Sequence, residues 1–253
     1  MWNLVSTRVT QFGYFDKLLQ RPVWKGRKIL DFGGNVGTFL MSASNSVNHQ
    51  DYWCLDLNRV VIEIGRRQFP QAHFVHYNRY SSQYNPEGVR NLPVPDLGFK
   101  FDIILAFSVF THTHQEEMLE LVGQLRRLLT PKGVLAFTFT DPSYDRSLSD
   151  PGLPSGTDVR KMLQWQQAEN PSTEIEIEAM VERARRSQWC LLVDHTLHVE
   201  PGKELFSDEG PGTPGGSYCS YFTADYMAGL FPEAEVFPPV SPEWQHCCIL
   251  RND

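Results

Sequence analysis

Arg27-Lys28-Ile29-Leu30-Asp31-Phe32-Gly33-Gly34-Asn35-Val36-Gly37-Thr38-Phe39-Leu40 constrains this chain more than any other stretch. It reads as a short apolar strand, an acid, a glycine-rich turn and a helix start. A turn of this kind brings backbone close to a ligand, because glycine has no Cβ and reaches φ > 0 at little cost. Asn35 stands where a further glycine would fit, and Asn is among the few other residues that tolerate the left-handed region. The next strand, Tyr52-Trp53-Cys54-Leu55-Asp56, also ends in an acid. Asn58 then caps a helix predicted to run to about Gln68. Asp56 follows the glycines by roughly 20 residues, the separation at which an acid meets a ribose in a doubly wound sheet. A carboxylate there either accepts from both ribose hydroxyls or merely caps the helix start.

The turn departs from G-x-G-x-x-G, since Gly33, Gly34 and Gly37 do not fit that register and Asp31 precedes them. The pattern resembles instead the D-x-G-x-G-x-G motif of class I S-adenosylmethionine-dependent methyltransferases, matched at Asp31, Gly33 and Gly37, with Asn35 departing from it. In that family the turn wraps the methionine part of the cofactor, and the acid matched by Asp56, followed by Leu57, binds its ribose. The resemblance continues. Phe101 to Ser108 is similar to the family's fourth strand, with Phe107 and Ser108 leading to the cofactor. Glu116–Leu129 reads as an amphipathic helix, Thr130-Pro131-Lys132-Gly133 breaks it, and Val134–Thr140 supplies the fifth strand. After the third strand, His73–His76, Asn78 occupies the place of an Asp that accepts from the adenine amino group. An Asn carbonyl can accept the same bond; Arg79 or Tyr77 are the alternatives for contacting the ring, and a solvent-facing loop Asn the plainer reading.

The resemblance implies an α/β fold: a doubly wound, mostly parallel seven-stranded sheet with an antiparallel C-terminal edge strand (Gln245–Arg251) and a helical and loop insertion after strand five. The expected organisation is one domain: an N-terminal helical segment (1–26), a cofactor core (27–142), a substrate-covering insertion (143–222) and a C-terminal helix and strands (223–253). Residues 1–20 form a lid, pack on the core or mediate dimerisation. Within the insertion, 157–170 and 174–187 read as helices, Trp189–Val193 and Ser217–Phe222 as strands, and Thr223 as the cap of a helix ending near Phe231. Trp165, Trp189, Tyr218, Tyr221 and Phe222 form either an aromatic cover over a small planar acceptor or additional core.

The chemistry expected is transfer of the methyl group of S-adenosylmethionine, leaving S-adenosylhomocysteine, to an O, N or C atom of a small metabolite. The protein aligns the acceptor and excludes water, with a general base where the acceptor carries a proton. His112, beyond strand four, is the first candidate base, followed by Asp141, Tyr144 and His195. The alternative for His112 is a cap of the helix near Thr113. Other classes fit less well. A net charge of −7 argues against phosphate-rich partners. Asp141-Pro142-Ser143-Tyr144 is similar to the D-P-P-Y motif of amino-directed DNA methyltransferases but follows the fifth strand, not the fourth. No Cys/His cluster or catechol-type acidic set suggests a metal, and no run of apolar residues approaches a membrane span. Five cysteines, several in apolar runs, read as reduced thiols of a cytoplasmic protein, a monomer or homodimer. The remaining readings are methylation of a protein side chain, or a non-catalytic cofactor-binding partner or sensor.

Overall fold

The computed structural model describes residues 10–148, 157–169, 171, 175–193, 196–199, 218–240 and 243–252. Thr10 caps helix α1 (Gln11–Leu18), which buries Tyr14, Phe15 and Leu18. Of the three readings of the N-terminus, packing on the core therefore describes residues 10–20. Strand β1 (Ile29–Phe32) is buried throughout and leads through the glycine turn into α2 (Thr38–Ala43). β2 (Tyr52–Asp56), α3 (Arg59–Gln68) and β3 (His73–His76) follow, with the Asn58 side chain accepting the Val60 amide at the start of α3. β4 (Phe101–Ala106), α4 (Gln115–Arg127) and β5 (Leu129–Phe139) complete the central unit.

Beyond β5 come α5 (Asp158–Glu169), α6 (Ile177–Arg185), β6 (Trp189–Val193), β7 (Thr196–Val199) and β8 (Tyr218–Phe222). α7 (Ala224–Leu230), β9 (Glu235–Phe237) and β10 (His246–Arg251) close the described chain. The main sheet has the order β3-β2-β1-β4-β5-β10-β9. Its first five strands are parallel, with crossovers through α2, α3 and α4 and a long connection from β3 to β4. β10 is the antiparallel strand and slots between β5 and the short edge strand β9. Two apolar clusters cover its faces: Leu30, Ile104, Leu121, Leu135 and Phe137 belong to one, Ile29, Phe39, Leu105, Ala136 and Ile249 to the other. Neighbours in one strand thus serve opposite faces, the period-two rule of a sheet buried on both sides.

One boundary differs from the sequence reading. α4 stops at Arg127, and β5 begins already at Leu129 opposite Phe101. The segment Thr130–Gly133 is an irregularity within the strand, where the pairing steps from Phe101↔Leu129 to Ile103↔Val134. Lys132 takes φ +63 there, and the Thr130 hydroxyl is held by Asp102. Helix-breaking residues marked a bulge inside a strand.

The insertion forms a second sheet of order β7-β6-β8. Alternation along β6 and β8 divides its faces: Cys190, Leu192 and Tyr221 pack on Val159 and Leu163 of α5 and Val181 of α6, while Trp189 and Phe222 join the main core. The Phe222 amide donates to Thr140 O (3.0 Å), and the Ser220 hydroxyl to Thr113 O. The small sheet is thereby fastened to the carboxyl ends of β4 and β5.

Gly65 of α3 lies against the Phe74 ring of β3, where an added Cβ would overlap the ring. Overpacking of a buried contact costs about 1–3 kcal/mol, and alanine returns up to about 1 kcal/mol of helix propensity. Gly65→Ala should therefore lower stability by roughly 1–2 kcal/mol in urea unfolding; unchanged stability would contradict this packing.

Candidate active site at the carboxyl edge of the sheet

The turn after β1 is held in one shape. Gly33, Asn35 and Gly37 have φ of +74, +55 and +87. A Cβ at Gly33 would lie 2.5 Å from Val109 Cγ2, and one at Gly34 would lie 2.5 Å from the Asp31 carboxylate. Asn35 replaces a glycine by fixing its own surroundings: its Oδ1 accepts the Val36 amide at 2.7 Å, and its amide donates to Asp56 Oδ2 at 2.9 Å. The Gly33 amide donates to Leu55 O at 2.7 Å. β1 and β2 thus end in one joined rim. The missing Cβ atoms make room for Val109, Asp31 and Phe74 around the turn, and the acceptor oxygens of Asp56 beside it are of a kind that fits the cofactor the sequence motif implies.

Asp56 Oδ1 accepts the Asn58 amide at 2.8 Å while Oδ2 holds Asn35. The capping reading is present, since the acid braces the α3 start, and its second oxygen holds the turn. Burial raises its pKa, against the amide bonds of Asn58, Asn35 and Leu57, which lower it. A carboxylate oxygen has a further lone pair beyond one amide bond, so acceptor capacity remains for a diol. Leu57 is half-buried, and its carbonyl lies 3.0 Å from His76 Nε2.

Asp31 is placed differently from a direct ligand contact. It is 2% exposed, beneath Gly34, and Tyr52 donates its hydroxyl to Oδ2 at 2.6 Å. The acid supports the turn from behind, since Gly34 separates it from the open side. Burial pushes its pKa from 3.8 to about 7, opposed by the Tyr52 bond and reinforced by Asp56.

Past β3, Arg79 leaves the candidate list. Its guanidinium is 4% exposed and is occupied by Glu117, Glu120 and Leu92 O, so it ties the loop to α4 and does not offer a ring contact. Tyr77 likewise donates to Leu92 O at 2.5 Å. Asn78 is exposed, and its Oδ1 accepts from Asn85 Nδ2 at 3.1 Å. The acceptor proposed for adenine is thus shared with a loop neighbour.

The end of β4 carries a second constrained turn. Ser108 is a non-glycine residue at φ +56, a conformation that costs about 1–3 kcal/mol and persists only where the surroundings impose it. Phe107 packs edge-on to Tyr14 and Phe15 of α1, with centroids 5.7 and 6.1 Å away. His112 ends the short 3-10 turn Phe110–His112, its ring 5.3 Å from that of Tyr84 and nearly perpendicular to it. It is not the helix cap. His114 fills that role, accepting the Glu116 amide at 3.3 Å.

On the acceptor side several expectations change. Both Asp141 oxygens are engaged: Oδ1 by the Ser143 amide and hydroxyl, Oδ2 by the Ala224 amide at 2.9 Å. Asp141 joins the β5 end to α7, which leaves it poorly placed as a proton acceptor. Trp189, Tyr221 and Phe222 are core residues by the alternation described above, and Trp165 is 48% exposed on α5. Composition could not separate cover from core because both faces of the small sheet are buried. His195 and the Tyr218 side chain lie outside the described residues. Tyr144 stands edge-on to His246, centroids 5.2 Å apart. Sequence reasoning missed His246, which pairs with Phe139 at the carboxyl end of β5 and is 6% exposed. Its Nδ1 has no hydrogen-bond partner among the described residues, and burial lowers its pKa against the pull of Asp141. The signal was a polar residue opening an otherwise apolar strand. Among the described residues no group of three His, Cys, Asp or Glu could hold a metal ion, and no helix is long and apolar enough to cross a membrane.

A folded-state pKa of about 7 against 3.8 for Asp31 means that the folded chain holds a proton the unfolded chain has lost. Stability contributed by this group is complete below pH 4 and falls as pH rises to about 7. Between pH 5 and 7 the wild type should lose about 2 kcal/mol that Asp31→Asn does not, at 1.4 kcal/mol per unit. Paired urea titrations at both pH values measure the difference; parallel pH slopes for the two proteins would refute the assignment.

Residues 30–135 match a family model described as a methyltransferase domain. No curated protein matches the chain. Among solved structures, PH0226 protein from Pyrococcus horikoshii OT3 is similar at TM-score 0.52 and 13% identity, over 96% of this chain and 90% of that one. A S-adenosylmethionine-dependent methyltransferase from Clostridium acetobutylicum ATCC 824 is similar at TM-score 0.50 and 10% identity, over 94% and 90%. Magnesium protoporphyrin IX methyltransferase (ChlM) from Synechocystis PCC 6803 with bound SAH is similar at TM-score 0.50 and 10% identity, over 94% and 78%. At these identities the structural likeness is one of fold. The match over residues 30–135, the strand order and the turn after β1 agree on a Rossmann-like fold of the kind seen in methyltransferase domains.

Proposed function

We propose that the chain transfers the methyl group of S-adenosylmethionine to an O, N or C atom of a small metabolite. The observation that carries the reading is the rim in which the bare turn Gly33–Gly37 is hydrogen-bonded to Asp56 at the end of β2. The cofactor, when bound, supplies an electrophilic methyl group on a sulfonium. The chain's own residues have simpler tasks. Gly33, Gly34, Asn35 and Gly37 offer backbone, and Asp56 offers acceptor oxygens to a diol. Asn78, Phe107 and Ser108 flank the same edge. Water is excluded by the small sheet docked on the ends of β4 and β5. For an acceptor that must lose a proton, His112 and the His246–Tyr144 pair are the groups available at this edge. Burial lowers the pKa of His246, which keeps the ring neutral but makes it a weaker base than a free imidazole, so its use as a base rests on its position.

The fold shared with ChlM, a magnesium protoporphyrin IX methyltransferase, supports a small acceptor. A net charge of −7 weighs against a nucleic acid. Five free thiols suit a reducing, cytoplasmic setting.

Calorimetric titration with S-adenosylhomocysteine tests the reading, with NAD as the control. Micromolar binding of the sulfur compound alone is expected. Asp56→Ala should weaken it by about 1–3 kcal/mol, roughly 5- to 150-fold. No binding by folded wild-type protein would remove the cofactor assignment.

A further inference from the structure

The left-handed Ser108 turn is fixed by three strands at once. The Ser108 amide donates to Thr138 Oγ1 at 2.7 Å. The Thr138 hydroxyl then has its proton free to donate, and gives it to Gln245 Oε1 at 2.5 Å. Gln245 Nε2 returns a hydrogen bond to Ser108 Oγ at 3.0 Å. The ring closes from the end of β4 to β5, on to the residue before β10, and back. A spur adds Thr111: its hydroxyl donates to Ser108 O at 3.0 Å, so the Ser108 hydroxyl donates to Thr111 Oγ1 at 3.1 Å. The donor of every bond in the ring is thereby assigned, and the Gln245 amide has only one orientation that satisfies both neighbours. Thr138 and Gln245 are 0% and 6% exposed. Tyr14 of α1 clamps the same residue, donating its hydroxyl to Gln245 O at 2.9 Å.

The ring acts on the cofactor rim through Val109. The Val109 side chain fills the space over Gly33, with Cγ2 where a Gly33 Cβ would come within 2.5 Å. The placement of Val109 follows from the φ of Ser108, which nothing in its own residue type favours. A buried ring of directional hydrogen bonds specifies one arrangement where an apolar contact would allow several.

We propose that Thr138 and Gln245 are positioning residues of the methyltransferase site, holding the Phe107–Val109 turn against the glycine turn so that the two form one preformed cofactor wall. This rests on the cofactor reading above. Neither residue touches the cofactor; each acts through Ser108. Loss of the ring leaves the turn to relax from its left-handed state, and cofactor binding then has to restore it.

The test is calorimetric titration of S-adenosylhomocysteine into the full chain and its Thr138→Val, Thr138→Ser, Gln245→Leu and Val181→Ala variants, with melting temperatures measured in parallel. Thr138→Val keeps the shape of the side chain and removes both hydrogen bonds. It and Gln245→Leu should each weaken binding about tenfold or more. Thr138→Ser should restore affinity to within about twofold. Val181→Ala, in the separate core of the small sheet, should lower the melting temperature and leave affinity unchanged, which separates positioning from general destabilisation. Equal affinity in wild type and Thr138→Val overturns the proposal, as does a serine variant as weak as the valine one. Wild-type protein that binds no S-adenosylhomocysteine overturns the cofactor reading and this inference with it.

Discussion

The hydrogen bond from the Asn35 amide to Asp56 is the contact on which the rest of the candidate site depends. One carboxylate joins the turn after β1 to the end of β2 and, through Asn58, to the start of α3. Without it the turn would keep its Gly33–Leu55 bond and the support of Asp31 but lose its tie to the end of β2 at Asp56. The chain offsets the burial of this carboxylate chiefly with backbone amides, with His76 adding a smaller favourable charge interaction. The result is a rim that carries a carboxylate at the end of β2 and uncharged backbone along the glycine turn.

Two carboxylates in the first two strands have opposite roles, and position explains why. Asp56, at the tip of its strand, keeps acceptor capacity toward the open edge. Asp31 sits one residue short of the turn, below Gly34 and under Tyr52, and works as a strut. Such a strut is costly when ionised, which is how burial came to raise its pKa to about 7. A motif letter shared across a family thus does not assign the same physical work to each acid in it.

The parts of the fold that were legible in the sequence are those written in local terms. Periodicity and caps located α3, α5, α7 and most of the strands, though not β7 or β9, because Asn58 and Thr223 act within a few residues of themselves. Glycine spacing located the rim for the same reason. The errors arose where distant segments decide. Arg79 was open to any role until Glu117 and Glu120 arrived from α4. Trp189 and Phe222 became core because a second sheet has two buried faces. Thr130–Gly133 marked a bulge because Asp102 and Phe101 lie opposite. Thr138 and Gln245 carried no signal at all, being separated by 107 residues and meaningful only as a pair.

The place of β10 has a consequence for how this molecule comes into being. The strand that splits β5 from β9 is His246–Arg251, and its pairing with β5 spans more than a third of the chain. Until those residues emerge from the ribosome, the nascent sheet carries β5 as a bare, apolar margin open to misassembly. Gln245 arrives with the same strand, so the Ser108 turn is locked only at that moment. A chain made only as far as β9 therefore presents the glycine turn without the hydrogen-bonded Ser108 turn that faces it.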